Sequence, residues 1–465
     1  MIRTSIVLVS EARGEFLAVE RMRAGLRARG FDTRHITPLA SDVREDEAAE
    51  SAAEILDRRA EYIDALTLDG QSLAEAIDEE QHLLDVNLRR VWRADIRSWR
   101  EGFTDEQMAR ITIGYLRALR RILSDVEPFA LWAEDGGHLC KQLAFMLCPP
   151  LSIKHLVYWA FPLPSRMVLP VDSLARLDLA AFEQFDPEPE EIMYAEGFLA
   201  DVRESQIDFT VPRDMVMNTS RIANFGRLLV QRYITRPAGA KSLYPLRFAR
   251  MYARQRANAL RVRRLYRSLG DRPFVFYPLH STRDTQISIR AHQWENQLAL
   301  VGHIAASLPF GYDLVIKEHP YEVGAYSSSE LERLVRRYPV IRLVDPSIHS
   351  HALFPRCDAI ATINSTAGFE GLFFGKPVIT FGHSPYRGVG LSYDITDLFE
   401  TPHVLLEALE HREASDAAVV RFIAFLYRNS VPGVSLSYDL GDQNIDWHVD
   451  YFVRCLVGAS EQASL

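Results

Sequence analysis

Three short clusters in the second half of the sequence gather residue types able to hold an anion. Lys317-Glu318-His319-Pro320 ends the apolar run Leu314-Val315-Ile316. Asn364-Ser365-Thr366-Ala367-Gly368-Phe369-Glu370-Gly371 follows the run that ends at Ile363, and Tyr386-Arg387-Gly388 follows Val378-Ile379-Thr380-Phe381. Lys317 brings a cation. His319 can donate a hydrogen bond to a phosphate oxygen and steady the charge that grows as a nucleotide departs. Pro320 fixes φ and turns the chain out of the strand, which aims His319. Asn364, Ser365 and Thr366 are all good N-cap residues, and three in a row exceed what capping needs. The small residues behind them let a phosphate approach the free N–H groups of a helix start. Glu370, one turn further on, can accept from ribose hydroxyls or sit there as a favourable first-turn acid. The bidentate fork of Arg387 suits a sugar carboxylate or a phosphate, although a solvated loop arginine has the same pattern.

Two further places could take part. His280 closes Pro278-Leu279-His280 after the run Phe274-Val275-Phe276-Tyr277. In the first half, Glu134-Asp135-Gly136-Gly137 follows Phe129-Ala130-Leu131-Trp132. Either carboxylate could take the proton from an attacking hydroxyl, and either could equally cap a helix.

These residues need elements to position them. Residues 5 to 10 read as a strand, Glu11 to Arg29 as an amphipathic helix and Asp32 to Ile36 as a second strand, a Rossmann-like opening without G-x-G-x-x-G. Residues 43 to 127, acidic and then helical, read as an insertion before the strand at Phe129. From Phe274 onward strands and helices alternate: strands at Phe274 to Leu279, Tyr312 to Lys317, Val340 to Val344, Ala359 to Ile363 and Val378 to Phe381. Helices fall at Ile289 to Leu308, Ser328 to Arg337 and Gly368 to Phe374, with a short one at His349 to Phe354. Alternation of this kind means a parallel sheet covered on both faces. The expected fold class is α/β and GT-B-like: two Rossmann-like domains, a helical insertion in the first and a helical C-terminal tail. The expected partition is residues 1–240, a basic interdomain segment at 241–270, a nucleotide-sugar domain at 271–400, and a tail at 401–465 that packs back on the first domain.

Bulk composition narrows the function. The chain has 465 residues, 48% hydrophobic and 25% charged, with a net charge of -9. That is a soluble globular balance, and it argues against general nucleic-acid binding. No apolar run reaches the ~18 residues that cross a bilayer, and the first residues turn polar too soon for a secretory signal. The four cysteines lack zinc or redox spacing, which suggests a cytoplasmic protein with buried thiols and no metal or other cofactor. Against the acidic background, Lys241 to Arg267 holds nine basic residues and no acid. That segment is either a solvated helix face or a contact for an anionic membrane surface, which would make the protein peripheral on the inner face of the plasma membrane.

Taken together, Pro278-Leu279-His280, Leu314 to Pro320, Asn364 to Gly371, Gly375-Lys376-Pro377-Val378 and Tyr386-Arg387-Gly388 resemble the bacterial capsule polysaccharide synthesis family. That group includes the Kdo transferases of capsule assembly and is related to bacterial polysialyltransferases. The resemblance spans roughly residues 270 to 392. The first half is similar only through Trp132, Glu134-Asp135-Gly136 and Phe161-Pro162-Leu163-Pro164. The resemblance implies a metal-independent, inverting GT-B glycosyltransferase that uses a CMP-activated acidic sugar such as Kdo or sialic acid. Its acceptor would be an oligosaccharide or glycolipid. His319 would lie on the donor phosphate, Ser365 and Thr366 on phosphate or nucleotide, and Asp135 or Glu134 would be the base. Where the family usually has Gln, this chain has His280, and where capsule members often have Asn-Gly it has Asp135-Gly136. Two other readings share these residues: a GT-B epimerase of a UDP-sugar, and a non-catalytic glycan- or nucleotide-binding partner in capsule assembly.

Overall fold

The structure is a computed structural model. It describes residues 5–10, 13–38, 54–56, 68–95, 98, 102–133, 138–156, 163–168, 177–204, 244–281, 284–320, 322–411, 415–434 and 441–457. The chain divides into two compact units, Met1–Arg176 with Leu426–Leu465, and Leu177–Phe425.

The first unit is built on a parallel sheet of β1 (Ser5–Val9), β2 (Asp32–Pro38), β3 (Glu54–Leu56), β4 (Ala130–Ala133) and β5 (Lys154–Leu156), in the order β3-β2-β1-β4-β5. Side chains alternate along β1, so both faces need cover. Val7 and Val9 pack against the helices Leu88–Ala94, Asp105–Val126 and Leu139–Leu147. Ile6 and Leu8 pack with helix Arg13–Ala28 and the late helix Asp442–Val457. The expected insertion is present as helices Gly70–Leu84, Leu88–Ala94 and Asp105–Val126. The last of these starts at a capping box, with Thr104 and Gln107 satisfying each other's backbone N–H. The short strand β3 inside the same stretch was not expected. A further strand, β6 (Arg166–Val168), pairs antiparallel with Ser430–Pro432, a strand inside the region expected to be helical.

The second unit carries the six-stranded sheet β7 (Phe274–Pro278), β8 (Asp313–Lys317), β9 (Ile341–Val344), β10 (Ala359–Thr362), β11 (Val378–Thr380) and β12 (Tyr393–Asp394). Its order is β12-β11-β10-β7-β8-β9, parallel throughout. In both sheets the first strand is central, the next two lie on one side and the later ones on the other. The order reverses between β1 and β4 and again between β7 and β10. Crevices for ligands open at such reversals, beyond the carboxyl ends of the strands. The α/β class and the two Rossmann-like units are therefore as expected.

The details differ in three places. The helix expected over Ile289 to Leu308 is broken into a short helix Thr285–Ser288, a 3-10 turn His292–Trp294 and helix Gln297–Ser307. Asn296 starts the last of these by accepting from Ala299 N–H at 3.2 Å. The helix after β10 begins at Thr366, ahead of the expected Gly368, because Ser365 caps it. The partition also shifts. Helices Leu179–Glu183 and Pro189–Arg203 belong with the second unit, since Phe182 packs on Phe422 and Phe425, Phe198 packs on Phe373, and Arg203 donates to Phe373 O at 2.6 Å and pairs with Asp416. The boundary thus falls at 176/177 rather than at 240. The basic stretch is not an interdomain segment, because helix Tyr244–Val262 lies within the second unit against helix Ser328–Arg337. Of the tail, helix Thr401–His411 and helix Asp416–Arg428 as far as Phe425 stay with the second unit, and residues from Leu426 join the first.

Candidate functional site

At the carboxyl edge of the second sheet, the ends of β7, β8 and β10 bring His280, Lys317, His319 and Asn364–Thr366 into one region. Several of these groups lie close enough to act on one another electrostatically. His319 responds to Glu322, Asp284 and Lys317, His280 responds to His319, and Lys317 responds to Glu370.

His319 is half-buried, and desolvation lowers its pKa even though Glu322 and Asp284 pull the other way. Its neutral imidazole can still donate one hydrogen bond, and an anion beside it would favour the second proton. The turn that follows is fixed from below. Glu318 is fully buried, and its carboxylate accepts from Gly324 N–H at 2.9 Å and from Tyr266 Oη at 3.3 Å. Burial raises the Glu318 pKa.

Ser365 uses its hydroxyl to accept from Ala367 N–H at 3.1 Å, the ordinary capping role. Its own N–H is taken by Thr362 Oγ1 at 3.1 Å. Thr366, the first helical residue, is exposed at the helix N-terminus. Asn364 is buried and donates to Gln286 O at 2.7 Å, while its Oδ1 has no hydrogen-bond partner among the described residues. A buried acceptor left empty costs ~1–3 kcal/mol, so a ligand donor arriving there would be rewarded. The glycines behind this cap are steric requirements. A Cβ on Gly368 would stand 2.1 Å from Tyr386 Oη, which itself donates to Ser365 O at 3.4 Å. A Cβ on Gly371 would stand 2.1 Å from Ile360 Cδ1. The helix therefore presses onto β10 and is braced by Tyr386.

Three of the expected binding residues do a different job from the one foreseen. His280 is buried in a polar nest: its N–H goes to Gln297 Oε1 at 2.9 Å, its carbonyl accepts from Tyr326 Oη at 3.0 Å, and its Nε2 lies 3.4 Å from Thr362 Oγ1. Burial depresses its pKa to about 3, so it is a neutral brace between β7 and β10 rather than a charged ligand group. Arg387 spends its fork on Gly382 O at 2.7 Å and Ile395 O at 3.2 Å, tying down the loop after β11. The guanidinium thus ties the turn out of β11 to the residue after β12. Lys317 is buried and donates to Ile348 O at 3.0 Å and Ser350 Oγ at 2.7 Å. Burial lowers its pKa to about 8. Its ammonium holds the loop at Ile348–Ser350.

Glu370, buried on the same helix, faces His351 Nε2 at 2.8 Å. His351 was not anticipated, although it lies just past the carboxyl end of β9, where the position relative to the sheet was a signal. The loop Ile348–His351 is thus pinned by Lys317 on one side and Glu370 on the other. Glu134 and Asp135, the candidate base, lie outside the described residues. Among the described residues, no group of three or more His, Cys, Asp or Glu is placed to hold a metal ion.

In the second unit, then, β10 leads into the helix capped by Ser365, and β8, on the other side of β7, leads into His319. Residues 219–420 match the family model described as "Capsule polysaccharide biosynthesis protein". The similarity to the bacterial capsule polysaccharide synthesis family therefore holds over that region. Two curated relatives, the capsule polysaccharide modification protein LipA of Neisseria meningitidis serogroup A / serotype 4A and of serogroup B, are 34% and 33% identical over 82 residues. The aligned stretch is 18% of this chain and only 12% of those proteins. Among solved structures, the beta Kdo 2,7 transferase of Thermosulfurimonas dismutans KpsC is 15% identical, with 73% of this chain and 89% of that chain covered, at a TM-score of 0.34. The UDP-GlcNAc 2-epimerase from Neisseria meningitidis is 12% identical, with coverage of 97% and 100% and a TM-score of 0.25. Likenesses with TM-scores this low do not discriminate among functions.

Proposed function

We propose that the chain is a glycosyltransferase of capsule or surface polysaccharide biosynthesis. Its second unit would hold a nucleotide-sugar donor at the carboxyl edge of the sheet. The observation that carries this reading is that β8 and β10, on either side of β7, end at one edge of the sheet and lead into His319 and the Ser365/Thr366 helix start, inside the region that matches the capsule family. The exposed Thr366 and the helix N-terminus suit a phosphate, His319 suits the oxygen that gains charge as the nucleotide leaves, and Asn364 Oδ1 offers an acceptor to a ligand hydroxyl or amine. Transfer would be a direct displacement at the anomeric carbon with inversion. The acceptor hydroxyl, on an oligosaccharide or glycolipid, loses its proton to Asp135 or Glu134. One phosphate can be neutralised by one helix start and one histidine, so a CMP-linked acidic sugar, Kdo or sialic acid, fits without a metal ion.

The test is a thermal-shift screen of the full chain with CMP, UDP, GDP and dTDP, followed by transfer assays with the matching donors. Selective stabilisation by CMP is expected. A response to UDP alone, with UDP-GlcNAc epimerised in the absence of any acceptor, would replace the transferase with an epimerase. Nucleotide binding without turnover of any donor would leave a binding partner of capsule assembly.

A further inference from the structure

The arginine run is a structured surface. In helix Tyr244–Val262 the inner side is taken up by packing: Asn258 and Val262 are buried, Asn258 Nδ2 donates to Gly324 O at 3.3 Å, and Gln255 Nε2 donates to Val323 O at 3.3 Å. The fit is tight, since a Cβ on Gly324 would stand 2.2 Å from Gln255 O. The outer side is left to solvent. Arg250, Arg254 and Arg261 are exposed. At about 100° per residue they fall within about 40° of one another, along about 17 Å of helix. Arg256, Arg263 and Arg264 are exposed beside them. None of these six has a carboxylate partner among the described residues. Leu260, 67% exposed, lies about 80–120° round the helix from those three, next to Arg256. Lys241 and the side chain of Arg247 lie outside the described residues.

We infer that this convex face docks on an anionic lipid surface. Unpaired surface arginines gain little from each other and repel, so a row of them needs an external anion to be favourable. The chain as a whole carries -9, which concentrates the attraction in this one strip. A helix with an exposed leucine beside exposed arginines suits a lipid plane, where the leucine can enter the headgroup boundary while the arginines meet phosphates. A chain-like glycan would instead be met by a groove with paired hydrogen-bond groups. The surface is distinct from the donor site, because its residues lie on helix Tyr244–Val262 and the turn after it, not at the ends of β7, β8 and β10.

The test uses the full chain and sedimentation with two sets of vesicles, pure phosphatidylcholine and phosphatidylcholine with one third phosphatidylglycerol. Binding is expected only to the anionic set, weakening steeply between 0.05 and 0.5 M salt, a range of roughly the kind over which surface charges become screened. The triple variant R250Q/R254Q/R261Q should bind those vesicles about a hundredfold more weakly, from about fivefold per arginine at an anionic surface. Its unfolding temperature and its response to nucleotide should be unchanged, so a failure of this inference is separable from a failure of the proposed function. Leu260→Ala should weaken binding further without altering the salt slope. Absence of sedimentation with the anionic vesicles would overturn the inference, as would full binding by the triple variant. Equal binding to soluble dextran sulfate with no preference for vesicles would also overturn it and assign the strip to a soluble polyanion.

Discussion

Lys317 gives the most quantitative test of the site. Its ammonium is buried and its pKa is lowered from the ordinary 10.5 to about 8, with desolvation the main cause and Glu370 opposing it. The folded protein therefore sheds this proton before the unfolded chain does. Relative stability must rise with pH through the window from about 8 to 10.5, and fall as pH drops back through 8. At ~1.4 kcal/mol per pH unit the whole window is worth roughly 3 kcal/mol, of which about 2–3 kcal/mol falls between pH 7 and pH 10. Lys317→Met keeps most of the stem and removes the titration. It also loses the bonds to Ile348 O and Ser350 Oγ, but that loss adds a nearly constant offset. The two proteins should thus be compared as curves, by urea unfolding at several pH values. Wild type should gain about 2–3 kcal/mol on the variant between pH 7 and pH 10, or roughly 5–10 °C by thermal unfolding. Nucleotide should act in the reverse direction. Its phosphate favours the charged lysine, so its stabilising effect on wild type should shrink above pH 8. Parallel stability curves for the two proteins would refute the reasoning, and divergence with wild type losing ground would mean that the ammonium is stabilised rather than penalised by its surroundings.

His319→Ala should cut transfer by about 10²–10³, the usual cost of removing one donor to a developing charge, while the unfolding temperature stays within a degree or two of wild type. An active, well-folded variant would remove His319 from the chemistry. Asp135→Asn should leave nucleotide-induced stabilisation intact and stop transfer, and unchanged turnover would move the role to Glu134. Gly368→Ala places a methyl 2.1 Å from Tyr386 Oη. The overpacking cost of about 1–3 kcal/mol should outweigh the helix-propensity gain of at most ~1 kcal/mol. Adding Tyr386→Phe, which deletes the clashing oxygen, should recover part of the lost stability in denaturant unfolding. No recovery would place the strain at Thr362 instead.

Five of the six strands of the second sheet could be read from the sequence almost to the residue, because strands buried on both faces are continuous apolar runs bounded by turn residues, whereas the two-residue edge strand β12 was not read. Helix Ser328–Arg337 was equally plain, with its apolar stripe and its serine start. Where local signals compete, the reading failed. The stretch from Ile289 to Leu308 reads as one apolar helix, yet Asp284 caps a short helix ahead of it, and within it a 3-10 turn at His292–Trp294 comes before the helix that Asn296 caps. At the candidate site, the sequence placed the ligand-type residues after β8 and β10, and the structure has them at the carboxyl edge of the second sheet. The sequence could not say which cations were already engaged. Arg387 and Lys317 both found backbone carbonyls, and those partners come from the loops after β11 and β9, whose paths no spacing rule fixes. His351 was missed for the same reason, as its meaning comes from Glu370, a residue on another element. The strand Ser430–Pro432 was hidden by its brevity and by its partner, which lies far earlier in the chain.

The division of the chain has a consequence for the order of events at the ribosome. The second unit is one continuous run, Leu177–Phe425, lodged between two parts of the first. The first unit has its sheet early, but one face of it, with Ile6, Leu8, Ala130 and Trp132, is sealed by residues such as Ile445, Val449 and Phe452. At roughly 5–20 residues per second of synthesis, that apolar face waits on the order of 10–50 s for its cover, while the intervening unit has every residue it needs to fold first. The half-made first unit is then the natural client of a chaperone, and the step that completes it is the arrival of helix Asp442–Val457 on helix Arg13–Ala28.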